Sequence, residues 1–236
     1  MLEVGAGLGS LTLALASTGA EVLAVELDRG LVPALAEVVA PFPNVRVEIV
    51  DALRADWGSL LPGTGWRMAS NLPYNVAVPL LMQMLEGAPQ IEAYVVMVQR
   101  EVGERIVAAP GHDAYGAVSA KVAFFAHADL LRRVPSTVFW PEPTVGSVLV
   151  RLVPKPAPPD IDRQSLFDVI EQGFAERRKT MSNALRRMGF DASTAAEMLR
   201  ASGIEPKARA EELDLARFAA LTALVHAPGA LRREEP

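Results

Sequence analysis

Apolar segments of two periods alternate along the first two thirds of this chain. Leu2–Val4 reads as the end of a buried strand, and Gly5, Gly7 and Gly9 follow it. An apolar helix is then predicted over 10–17. A second strand is predicted over 21–25, closed by Glu26, and a helix over 31–39, ended by Pro41 and Pro43. The alternating, β-branched stretch 45–50 predicts a third strand, closed by Asp51. Residues 67–70 predict a fourth, closed by Asn71, with a helix over 79–85 behind it. The continuous apolar run 93–99 has the character of a strand buried on both faces. Residues 117–126 and 147–152 are read as two further strands. Strands alternating with helices predict an α/β fold with a doubly wound, Rossmann-like sheet.

The pattern then changes. Pro154-Lys155-Pro156-Ala157-Pro158-Pro159 is a stiff, extended segment, and helical spacing takes over beyond it at 166–174, 178–188, 194–201 and 215–225. The predicted organisation is an α/β domain over 1–153, a proline-rich linker over 154–160, a small all-helical domain over 161–227 and a tail over 228–236.

Composition narrows the function classes. In 236 residues, half are hydrophobic and no apolar run approaches the roughly 18 residues of a membrane span, so no membrane partner is expected. There is no cysteine, which removes disulfides and thiolate metal sites and fits a cytoplasmic protein. The three histidines, His112, His127 and His226, are scattered, so no metal site is predicted. The net charge of −5 places any nucleic-acid contact on a local basic patch.

The chemistry-bearing positions cluster at the ends of the predicted strands. Glycine after a strand permits positive φ and close approach of a ligand to the backbone, so Gly5 and Gly7 are candidate cofactor contacts. Such a loop also serves NAD, FAD and nucleotide enzymes, or forms a plain tight turn. Glu26 is placed to accept both hydroxyls of a ribose, or to be a solvated strand end. Asp51 is placed to accept a hydrogen bond from an adenine amine, or to cap a helix. Together with the glycine loop the two acids favour a nucleoside site.

The sharpest signal is Asn71-Leu72-Pro73-Tyr74. Adenine N6 is a poor nucleophile because its lone pair is delocalised into the ring. A side-chain carbonyl and a backbone carbonyl that accept both N6 protons localise that pair. Asn71 Oδ1 and the Leu72 or Pro73 carbonyl are the candidate acceptors, with Pro73 stiffening the loop and Tyr74 stacking on a flipped base. Phe139, in Phe139-Trp140-Pro141-Glu142-Pro143, is the candidate opposite face of that slot, or a core aromatic. Arg177, Arg178, Lys179, Arg186 and Arg187 form a basic cluster suited to RNA phosphates, or a solvated helical face.

These motifs together resemble the small-subunit rRNA adenine N6,N6-dimethyltransferases of the kasugamycin-resistance type. Further anchors are Gln99-Arg100-Glu101-Val102, Pro110-Gly111, Tyr115-Gly116, Val145 and Ser147. The resemblance runs from Met1 to about Val225 and implies S-adenosylmethionine as cofactor, held at Gly5, Gly7, Glu26, Asp51 and Asn71. It implies a methyltransferase acting on two adjacent adenines in a hairpin near the 3′ end of small-subunit rRNA. The partner would be an immature 30S-type subunit and the enzyme a monomer. The related macrolide-resistance methyltransferases of large-subunit rRNA share the site. A non-catalytic assembly factor on the same fold and a dinucleotide oxidoreductase are the competing classes; the latter leaves Asn71–Tyr74 unexplained. Family members often carry lysine where Thr144 stands and Ser-Thr where Ala77-Val78 stand. They also carry a segment ahead of the first strand, so the chain is expected to be short at its N-terminus.

Overall fold

A computed structural model describes residues 1–73, 75–140, 142–158, 161–176 and 178–227. Contacts divide the chain into two units: residues 1–107 with 125–155, and residues 108–124 with those from 156 onward.

The first unit holds a seven-stranded sheet. Its strands are β1 (Leu2–Val4), β2 (Val22–Glu26), β3 (Val45–Ile49), β4 (Trp66–Asn71), β5 (Ile91–Gln99), β6 (Ala126–Val134) and β7 (Ser147–Pro154), in the order β3-β2-β1-β4-β5-β7-β6. The first five run parallel, while β7 is antiparallel to β5 and β6 antiparallel to β7. The fold is the predicted α/β doubly wound, Rossmann-like sheet, with an antiparallel pair closing one edge. The helices of this unit are α1 (Ser10–Ala16), α2 (Val32–Val39), α3 (Trp57–Leu60), α4 (Ala77–Gly87) and α5 (Arg100–Val107).

Burial explains the central strands. Leu2, Leu23, Val25, Met68, Tyr94, Val96 and Val98 are almost fully buried, as strands covered on both faces must be. On one face Leu35 and Val39 of α2 pack with Ala6 and Ala24, against Val45 and Val47 of β3. Strand order reverses between β1 and β4, and ligands of such sheets bind in the crevice at the carboxyl ends of the strands beside that point. Gly5 follows β1 directly, and Asn71 is the last residue of β4.

The second unit is helical: α6 (Ala117–Phe125), α7 (Arg163–Phe174), α8 (Met181–Arg187), α9 (Ala192–Ala201) and α10 (Leu215–Val225). Aspartates fix three of its helix starts. Asp162, Asp191 and Asp214 accept hydrogen bonds from the N–H groups of Ser165, Thr194 and Arg217 at 2.8, 2.9 and 2.8 Å. Its core gathers Leu166, Ile170, Leu185, Leu199, Phe218 and Leu221.

The segment 117–126, predicted as a strand, is the helix α6, and it belongs to the helical unit although the predicted boundary lay at 153. Its run Ala-Val-Ser-Ala-Lys-Val-Ala-Phe-Phe mimics strand alternation, yet it is apolar nearly all round, as a buried helix is. Phe124 meets Phe167 of α7 edge-on at 5.6 Å, and Lys121 pairs with Glu171. Ahead of α6, Tyr115 donates to the Leu213 carbonyl at 2.8 Å, and burial, helped by the Asp214 charge, pushes its phenol up to about 12.

Candidate active site

The glycine loop is tied down from both sides. The N–H groups of Gly5 and Ala6 donate to the Val25 carbonyl at 2.9 and 3.2 Å, which folds the loop back on the end of β2. Gly5 has φ +78°, and a Cβ there would lie 3.4 Å from Pro73 Cδ and 3.7 Å from the Asn71 carbonyl oxygen. Contacts at those distances are ordinary, so it is the left-handed backbone that calls for glycine here. Gly9, at φ +88°, leaves room for Leu35 and Val38.

Glu26 does more than close β2. Its Oε2 accepts from Gly7 N–H at 2.8 Å, and its Oε1 accepts from the N–H groups of Leu27 and Asp28 at 2.7 and 2.8 Å. Asp51 accepts from Leu53 N–H at 3.0 Å and lies 3.7 Å from Arg54 Nε. Glu26, Asp51, Ala52, Leu53, Pro73 and Val76 line a hollow of about 200 Å³. Gly5 lines this hollow and also a larger one, of about 640 Å³, which takes in Glu3, Gly7, Ser10, Asn71, Val138, Phe139 and Trp140. The first hollow offers apolar walls with two carboxylates, an acceptor set that fits an adenosyl group. The second continues past Gly5 to Asn71, which suits a methionyl arm and the group that takes its methyl. S-adenosylmethionine therefore fits the residues present.

The fourth-strand motif starts on Asn71, the last residue of β4, and continues through Leu72 and Pro73. Leu72 is buried and its N–H donates to the Met97 carbonyl at 3.1 Å, which anchors the loop to β5. The Pro73 carbonyl accepts Val76 N–H at 3.1 Å, a turn that leads into α4. Asn71 is exposed toward the larger cavity. Tyr74 lies outside the described residues. Phe139 is half-buried in the wall of the same cavity, so the structure brings it together with Asn71 from distant parts of the chain.

Residues 1–226 match the ribosomal RNA adenine dimethylase family. The chain belongs to that family. Among its relatives, the ribosomal RNA small subunit methyltransferase A of Cutibacterium acnes is 44% identical, over 98% of this chain and 80% of that protein. The protein of the same name from Thermobifida fusca is 44% identical, over 93% and 78%. A dimethyladenosine transferase from Plasmodium falciparum has the same fold, with TM-score 0.78 at 22% identity over 93% of this chain and 87% of that one. The dimethylase is thus an S-adenosylmethionine-dependent methyltransferase of adenine in ribosomal RNA.

Two polar residues that line the larger cavity escaped sequence reasoning. Glu3 sits within β1, 2% exposed, and accepts from the Thr12 hydroxyl at 2.6 Å. Burial raises its carboxyl to about 7, against the Thr12 bond, and the Glu26 charge adds to the rise. The signal was available, since an acid in an apolar central strand needs a reason. Ser70 is the second. Its hydroxyl accepts Val4 N–H at 2.8 Å, binding β1 to β4 beyond the single Leu2–Met68 pair that joins them.

The basic cluster is divided by the structure. Arg177 lies outside the described residues. Arg178 and Lys179 precede α8 in the turn after α7, where the sequence pattern predicted a helix from 178. Thr180, extended, is the cap residue that delays the helix to Met181. Lys179, Arg186 and Arg187 share a hollow of about 310 Å³ with Glu176 and Asn183. Arg178 lines another, of about 380 Å³, beside His112, Arg209 and Glu211. Arg187 is committed: it pairs with Glu176 at 3.0 Å and donates to the Gln172 carbonyl at 2.6 Å. Among the described residues no helix is long and apolar enough to cross a membrane.

Proposed function

We propose that the enzyme dimethylates N6 of two adjacent adenines in a hairpin near the 3′ end of small-subunit rRNA. In this reading it acts as a cytoplasmic monomer on an immature small subunit. The observation that carries the reading is the cavity shared by Asn71 and Phe139 beside the glycine loop. The names of the relatives that are 44% identical support the small subunit over the large one as substrate.

Bound S-adenosylmethionine supplies a methyl group on a positively charged sulfur. The protein's share is to bind, orient and prepare the amine. Glu26 accepts from the ribose hydroxyls through lone pairs left by its backbone bonds, and Asp51 accepts from the cofactor's adenine amine. Gly5 and Gly7 let the cofactor lie against backbone. Asn71 Oδ1 accepts one N6 proton of the target adenine. The Pro73 carbonyl already takes Val76 N–H, so the Leu72 carbonyl is the better second acceptor. Accepting both protons turns the N6 lone pair out of the ring and toward the methyl, a demand that peaks in the transition state. Phe139 forms one wall of the base slot. Tyr74, by its place in the sequence, is the candidate for the other. No strong base is required, because the alkylated amine is acidic enough to lose its proton to water. Lys179 and Arg186 are the proposed phosphate contacts, with Arg177 and Arg178 beside them in sequence.

Incubating the enzyme with methyl-labelled S-adenosylmethionine and isolated subunits tests the reading. Label is expected in immature small subunits. Label in large subunits instead would assign the enzyme to the other substrate.

A further inference from the structure

The segment before β7 carries an aromatic side chain that the reaction described above does not use. Trp140 is 97% exposed, the most exposed large apolar residue among those described. It forms part of the mouth of the 640 Å³ cavity, as do Val138 and Leu8, both also exposed. Exposing a whole indole leaves the largest apolar side chain in water, where burial is worth about 25 cal/mol per Å². The exposure is built rather than incidental. Residues 136–138 form a 3-10 turn, and the Ser136 hydroxyl donates to Glu142 Oε1 at 2.7 Å, tying the two ends of the loop together. Phe139 has extended backbone, φ −107° and ψ 150°, and both it and Trp140 line the cavity, the first half-buried and the second exposed. Phe139 goes into the cavity wall and Trp140 stands at the rim.

We infer that Trp140 is a stacking platform for the nucleobase adjoining the adenine that enters the cavity. The inference rests on the rRNA adenine reading of the site. An adenine that reaches Asn71 leaves the RNA strand running out across the cavity mouth, where the next base has lost a stacking neighbour. A flat, exposed indole there replaces that neighbour, and such stacking tolerates any base because every base presents a π-face. The chain's charge makes this grip useful. At a net charge of −5, phosphate neutralisation has little overall field behind it, whereas stacking does not depend on charge. Trp140 is thus a positioning residue, acting on substrate binding rather than on the reacting atoms.

The test measures kcat and KM for immature small subunits, with the dissociation constant for S-adenosylmethionine, in wild type, Trp140→Ala, Trp140→Leu and Trp140→Phe. The expected result is KM raised roughly 5- to 100-fold in Trp140→Ala. Trp140→Leu, apolar but not flat, should be equally impaired, and Trp140→Phe should recover most of the loss. Cofactor affinity should be unchanged in all three. Wild-type KM in Trp140→Ala overturns the inference, and so does full rescue by leucine, which would mean plain apolar contact. If the wild type leaves small subunits unmethylated, the substrate reading fails separately. The same variants are then measured on the rRNA that the wild type does methylate, with the same two outcomes.

Discussion

The N–H of Gly7 donates to Glu26 Oε2 at 2.8 Å, so the acid at the end of β2 holds the glycine loop that ends β1. With Leu27 and Asp28 donating to the other oxygen, Glu26 is oriented by three backbone groups before any ligand arrives. A carboxylate aimed in this way loses little freedom when it also accepts from a ribose.

Glu26→Ala should therefore do two things. It removes the ribose acceptors and also frees the loop, so cofactor affinity is expected to fall by at least tenfold, given about 1.5–3 kcal/mol for each charge-assisted bond. Glu26→Gln, which keeps one acceptor oxygen for Leu27 and Asp28, should fall less. Calorimetric titration with S-adenosylmethionine checks both. An unchanged dissociation constant in the alanine variant would make the acid a strand-end charge only.

Asn71→Ala should lower methylation by on the order of 10²-fold or more, with cofactor affinity changed only a few-fold. The lost bond matters most in the transition state. Single-turnover transfer to small subunits measures the rate. Near-normal turnover would remove Asn71 from the mechanism.

Glu3 gives the protein a pH-dependent weakness. Its folded-state carboxyl, at about 7, lies above the ordinary 4.5, so the unfolded chain ionises first as pH rises. Stability from this group is whole below pH 4.5, declines between there and about 7, and stays low above. At about 1.4 kcal/mol per pH unit the loss is roughly 3 kcal/mol at most. Glu3→Gln, which can still accept from Thr12, should be more stable than wild type at pH 8 and nearly equal to it at pH 4.5. Thermal melts at the two values read this, and equal melting temperatures at pH 8 would contradict the buried-charge account.

Much of this site was legible because βα alternation puts strand ends on one edge of a sheet. Once strands were read before Gly5, Glu26, Asp51 and Asn71, their convergence followed. Of the antiparallel edge, β7 was legible as the strand 147–152, but β6 was not. β6 carries Asp129, Arg132 and Arg133 on a strand with one solvated side, and that polarity hides it as a loop. The helix α5 is similarly masked by Arg100, Glu101, Glu104 and Arg105. The 117–125 segment failed for the opposite reason: apolar nearly all round, it lacks the polar stripe that marks a helix, and its Ser119 and Lys121 mimic strand alternation. The pairing of Arg187 with Glu176 joins residues on either side of a turn, and no spacing rule reveals it.

That pairing changes what charge reversal should do. Lys179→Glu with Arg186→Glu is expected to weaken RNA binding and to flatten its dependence on salt, while sparing the cofactor. Arg187→Ala should instead mainly lower stability, by about 1 kcal/mol or less, since its guanidinium is partly exposed. Filter binding across a salt series separates them. Wild-type affinity and slope in the double variant would make this surface a solvated face.

Gly9→Ala tests the loop's backbone. At φ +88° an added Cβ would stand 3.0 Å from Leu35 Cδ1 and 3.2 Å from Val38 Cγ1, so about 1–3 kcal/mol of stability should be lost. A denaturant midpoint equal to wild type would show that α2 can shift to accept it.

The central claim, N6 dimethylation of adjacent adenines in small-subunit rRNA, is tested most directly on the modified nucleosides themselves. Immature small subunits are incubated with the enzyme and S-adenosylmethionine, and the rRNA is cut into fragments and analysed by mass spectrometry. The account predicts N6,N6-dimethyladenosine at two neighbouring positions in a fragment near the 3′ end, and far less of it in the same incubation time when Asn71→Ala replaces the wild type. Methyl groups on another atom or another base, or an unmodified 3′ fragment with active wild-type enzyme, would contradict it.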